Sequence, residues 1–186
     1  MKIFRLLPLL LVVLLASCLN KKKSANIGVP ENESRYVVLA YVTSWGVSTP
    51  ETSCLTHINY AFGHVADDNK GIRIDNEPRL QMIAGLKEKK PSLKVLLSVG
   101  GWGSSRFSEM AANDSTRTAF AADCRRVIDK FGLDGIDIDW EYPGSGAAGI
   151  SFSPADKENF TLLMRDVRQA VGKDKLLTIA TSATGR

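Results

Sequence analysis

The sequence predicts an α/β fold built on a parallel sheet, and three observations carry that prediction. Apolar runs of strand length recur at residues 36–43, 57–62, 93–99, 133–140 and 176–181. Helical periodicity fills most of the intervals, over about 78–90, over about 115–130, and from a cap at Ser153 to Gly172. The strand runs are also close to continuously apolar, as strands covered on both faces are.

Taken in order, the first segment is not part of that fold. Lys2 and Arg5 precede an apolar run over residues 6–15, which is too short to span a bilayer and ends in Ala16 and Ser17 before Cys18. Residues 1–17 read as a signal peptide. Leu15-Ala16-Ser17-Cys18 resembles a bacterial lipobox, which makes Cys18 the lipid-attachment residue and residues 18–34, with Lys21, Lys22 and Lys23, a polar tether. The expected location is exported and membrane-anchored, at an outer membrane or cell surface, since Leu19 follows the cysteine and not aspartate. Removing residues 1–17 lowers the formal charge from +4 to +2, which excludes a nucleic-acid-binding signature. Nothing calls for a cofactor or a metal, there being no CxxC and no paired histidines. Cys54 and Cys124 are expected as two buried thiols, not a disulfide.

The helix over 115–130 carries Phe120, Cys124 and Val127 on one face and ends at Gly132. The last helix has the clearest pattern. Ser153 with Asp156 reads as a capping box, Pro154 takes the first helical position, and Phe160, Leu163, Val167, Ala170 and Val171 form its buried stripe. Two closures fit such alternation: a five-stranded open sheet, or a (β/α)8 TIM barrel, which needs about 250 residues. Because the chain reaches Arg186 directly after the fifth run, the expectation is a TIM barrel cut after about its fifth strand, over residues 35–186. Such a piece is expected to expose a strand edge and to be inactive by itself.

Asp134-Gly135-Ile136-Asp137-Ile138-Asp139-Trp140-Glu141 places four carboxylates in eight residues. In a strand, the period of two sends Asp137, Asp139 and Glu141 to one face and Ile136, Ile138 and Trp140 to the other. Acids spaced about 6–7 Å apart on a buried face cannot all stay ionised, so one is expected to retain a proton at neutral pH and serve as an acid. The same pattern would also suit the wet face of an exposed strand, a calcium loop, or a non-catalytic sugar-binding barrel. Position at the C-terminal end of a parallel strand weakens the first, and apolar intervening residues weaken the second. The third is not decided by the cluster.

DGIDIDWEYPG, residues 134–144, resembles the DGxDxDxE signature of glycoside hydrolase family 18, the chitinases and endo-β-N-acetylglucosaminidases. Ser98-Val99-Gly100-Gly101-Trp102 is similar to the family's SxGG element, Asn59-Tyr60-Ala61-Phe62 to its second strand, and Tyr41 and Trp45 to its first. The resemblance covers residues 36–183 and implies substrate-assisted, retaining hydrolysis of chitin or N-acetylglucosamine oligosaccharides, the substrate's own acetamido oxygen acting as nucleophile. It implies Glu141 as general acid, Asp139 orienting the acetamido group, and Asp137 sharing a proton with Asp139. It also implies substrate contact for Tyr41, Phe62, Trp102 and Tyr142. Trp45, Tyr60 and Trp140 are assigned to packing, and Asp134, Ser98, Gly100 and Gly101 to shaping the backbone around the site. The family's residues on strands six and eight have no counterpart in this sequence. N-glycans as substrate, or sugar binding without catalysis, are the alternatives.

Overall fold

In the computed structural model the described residues are 36–182, so the signal peptide, Cys18 and the tether lie outside them. The elements run β1 (Leu39–Thr43), β2 (His57–Val65), β3 (Ile72–Ile74), α1 (Glu77–Ala84), β4 (Lys94–Gly100), α2 (Phe107–Ala112), α3 (Asp114–Phe131), β5 (Gly135–Asp139), α4 (Asp156–Val171) and β6 (Leu176–Ile179). The five expected strands lie side by side in chain order, all parallel, as β1-β2-β4-β5-β6.

Three departures from the expected elements have local causes. β2 runs on to Val65 and pairs antiparallel with β3, Gly63 opposite Ile74. A three-residue strand is too short to show as an apolar run, and it is anchored from outside its own sequence: the Ile72 N–H donates to Asp123 of α3 at 2.8 Å. α2 has six residues, below the length at which periodicity shows. The helix after Ser153 begins at Asp156, and Pro154 lies in the turn before it.

Alternation along the strands divides the side chains between two buried layers. Ile58, Val95, Leu97, Ile136 and Ile138 join one cluster with Phe120, Cys124, Val127 and Ile128 of α3 and Leu163, Val167 and Val171 of α4. Each fully buried aliphatic side chain there contributes about 1.5–3 kcal/mol. The alternate residues Asn59, Leu96, Ser98 and Asp137 are also buried but outside that cluster, on the opposite face. Gly132 closes α3 at φ 63°, a left-handed conformation that favours glycine.

Tyr60 and Trp140 are in the core, as assigned, but Trp45 is 70% exposed on the loop after β1 and does not pack. Both cysteines are free; Cys124 is buried, whereas Cys54 is exposed in the β1–β2 loop, against the expectation of two buried thiols. The β1–β2 connection holds no helix under which that thiol could be covered.

Candidate active site

Trp140 fixes the direction of the acid-bearing strand. Its ring stacks on Phe107 at 5.3 Å and 10° and meets Phe160 edge-on at 6.0 Å, so it is held on the helix side. By alternation Asp137, Asp139 and Glu141 face the other way. Gly100 lies opposite Asp139 in β4, and a Cβ there would come within 2.1 Å of the Asp139 carbonyl oxygen; the glycine lets the two strands close at the acid.

Asp137 is 1% exposed and receives hydroxyl donors from three different strands. Tyr41 of β1 donates at 3.0 Å and Ser98 of β4 at 2.8 Å to one oxygen, and Thr178 of β6 donates at 2.6 Å to the other. Tyr41 reaches Asp137 from three strands away, so the sheet is strongly curled with the acids on its concave side. The Tyr41 phenol is pushed up to about 12, first by burial, with Asp137 and Asp139 adding to the shift and Asn59 opposing it.

Asp139 is also buried, and its Oδ1 has no hydrogen-bond partner among the described residues. Burial first, then the charge and hydrogen bond of Glu141, then the charge of Asp137, push its pKa up to about 7. Glu141 is half-buried and lines a pocket of about 250 Å³ with Tyr41, Asp139, Tyr142, Ala180 and Thr181. A hydrogen bond with Glu141 is the first cause that raises the Tyr142 phenol. This arrangement can hold a proton near neutral pH between two carboxyl groups at the mouth of a pocket, which is what acid–base chemistry on a bound substrate requires.

Of the residues implied as substrate contacts, Tyr41 and Tyr142 line that pocket with the acids, and Phe62 and Trp102 do not. Phe62 is packed on the backbone of Gly101, where an added Cβ would lie 2.8 Å from its ring. Trp102, 66% exposed, lines a second hollow of about 300 Å³ with His64, Arg73, Ser104 and Arg106. Ser98 touches the site directly, through Asp137, and does more than shape the backbone.

Asp134 departs from the role expected of it. It sits at the opposite end of β5, bonded by the Val95 N–H and Lys87, both at 2.9 Å, and shapes nothing near the pocket. Thr178 and Asn59 belong to the site as well: Asn59 lies in the second-strand motif, which implies no role for it, and Thr178 lies in no motif. Thr178 pairs with Asp137 in the strand register, so pairing the fifth apolar run with the fourth is the signal that finds it.

The sequence model described as glycosyl hydrolases family 18 matches residues 37–186. Manduca sexta endochitinase is 35% identical over 173 residues, covering 81% of this chain and 30% of its own. The crystal structure of the chitinase domain of the spore coat protein CotE from Clostridium difficile superposes with a TM-score of 0.76 at 39% identity, covering 79% of this chain and 42% of that one. A family 18 N-acetylglucosaminidase from Paenibacillus barengoltzii gives 0.71 at 42% identity, covering 77% and 45%. The chain thus spans less than half the length of each of these relatives, and the matched residues include the acidic strand and the curled parallel sheet: it belongs to glycosyl hydrolases family 18.

Proposed function

We propose that the full-length protein hydrolyses β-1,4-linked N-acetylglucosamine polymers, chitin or chitooligosaccharides, by substrate-assisted retaining hydrolysis. The observation that carries this reading is Asp139, buried beside Glu141 with a pKa pushed up to about 7. Glu141, at the pocket rim, donates its proton to the glycosidic oxygen as that bond breaks. The acetamido oxygen of the substrate forms the new bond to the anomeric carbon, giving an oxazolinium ion. Asp139 points its unpartnered oxygen toward the acetamido N–H and stabilises the charge that develops there, while the hydroxyls on Asp137 keep the pair in register. Glu141 then takes a proton from water, which opens the ring with retention.

Relatives described as chitinases support chitin as the substrate class. The 186 residues alone are proposed to turn over negligibly, because among the described residues the pocket is walled by β1, β5 and β6 and their loops only. The apolar run 6–15 and the motif ending at Cys18 support export and membrane anchoring through a lipid on Cys18; Cys18→Ala should abolish incorporation of labelled fatty acid.

The deciding assay is release from a chromogenic chitotriose by the full-length protein and its Glu141→Gln variant. The expected loss is about a thousandfold in kcat/KM, within the range of an essential acid; equal rates would refute the assignment. Release from an N-glycoprotein but not from chitin oligomers would move the substrate, and binding without turnover would make the protein a sugar receptor.

A further inference from the structure

Asp156, the first residue of α4, is completely buried, and among the described residues it joins no ion pair. Its hydrogen bonds join three segments. One oxygen accepts the Ser108 hydroxyl of α2 at 2.7 Å; the other accepts the Ser153 N–H at 2.8 Å and the Gly144 N–H at 3.2 Å. Gly144 is three residues after Glu141 and two after Tyr142. Capping α4 explains the Ser153 bond, and the favourable place of a carboxylate in a first helical turn explains the residue type. Neither explains why the same carboxylate takes the N–H of the loop that carries the acid, or a hydroxyl from the helix that follows Trp102.

The surroundings repeat the connection. Ser151, on the same loop, donates to Glu109 of α2 at 2.9 Å, and Phe107 of α2 stacks on Trp140, the residue before Glu141. The backbone from Trp140 to Ser153 is therefore tied to α2 at both ends and, through Gly144 and Asp156, near its acid.

We propose that Asp156 is a positioning residue for Glu141: by holding the Gly144 N–H against α2 and α4, it keeps the Glu141 carboxyl beside Asp139. An acceptor buried away from water suits that task, since no solvent competes for the Gly144 N–H. The effect on turnover rests on the hydrolase reading above, but the effect on the loop does not.

The test is Asp156→Ala and Asp156→Asn in the full-length protein, with steady-state kinetics and amide hydrogen exchange in peptides spanning 141–147. Asp156→Ala should lower kcat at least tenfold with KM within about twofold, and speed exchange in 141–147 at least tenfold. Asp156→Asn should recover most of both, because its amide oxygen can still accept the two N–H groups while Ser108 turns its hydroxyl to accept. A residue that only caps α4 would lower the melting temperature and loosen Ser153, and leave kcat and the exchange of 141–147 unchanged; that result overturns the proposal. Should Asp156→Ala not fold, exchange of the Gly144 amide in the wild-type protein decides: a rate as fast as in an unstructured peptide shows that Asp156 does not hold that N–H and overturns the proposal as well. If the wild-type protein cleaves no acetamido sugar, the hydrolase reading fails by itself, and exchange still decides the role of Asp156.

Discussion

Asp134 and Asp139 are five residues apart on one strand segment, and their surroundings treat them in opposite ways. At the N-terminal end of β5, burial would raise Asp134, but the Val95 N–H, Lys87 and Lys94 outweigh it and hold the carboxyl below its usual range. At the C-terminal end, burial raises Asp139, and its charged neighbours, Glu141 and Asp137, raise it further. Placing cations at one end of the strand and only acids at the other is what separates a stabilising carboxylate from a reactive one.

Substitution should expose that difference from both sides. The largest effect is expected from Asp139→Asn, which should cut kcat/KM of the full-length protein at least a hundredfold while raising stability at pH 8 by about 1–2 kcal/mol, because an amide needs no proton in that environment. Denaturant melts alongside the assay check both halves; a loss of stability would break the contrast. Asp134→Ala should do the reverse, costing about 1.5–3 kcal/mol as the Val95 N–H and Lys87 lose their acceptor, with kcat within twofold.

The pH dependence of stability should divide in the same way. Asp139, raised in the folded state, adds stability that is present at acid pH and is lost as pH climbs from about 4 to about 7; Asp134, lowered in the folded state, adds stability that is lost as pH falls below about 4. Melting profiles of Asp139→Asn and Asp134→Asn should each remove one of these limbs. The smallest effect belongs to Lys94→Ala, whose 3.4 Å pair with Asp134 is half-exposed: at most about 0.5 kcal/mol.

These two aspartates also mark what can be read from residues alone. The alternation that sends Asp137, Asp139 and Glu141 to one face is a local property of an extended chain, so it is legible, as are Gly132 after α3 and the stripe on α4. Asp134 is out of step with that alternation, and its assignment to the backbone around the site rests on the signature that contains it, which does not say which end of the strand carries chemistry. The cradle of Asp137 is hidden for a related reason: Tyr41, Ser98 and Thr178 come from separate strands and meet only through sheet register and curl. Asp156 is visible as a cap, but its bonds to Ser108 and Gly144 depend on tertiary packing. The antiparallel β3 and the short α2 fall below the length at which periodicity carries information.

The threefold hydroxyl grip on Asp137 also sets an order of assembly. One donor, Tyr41, lies near the start of the described residues and another, Thr178, near their end, so the grip cannot be complete while a nascent chain still has its β6 segment inside the ribosomal tunnel. Until translation passes that point, the mutually repelling acids lack one of three restraints, and the reactive centre is complete only after β6 has been made.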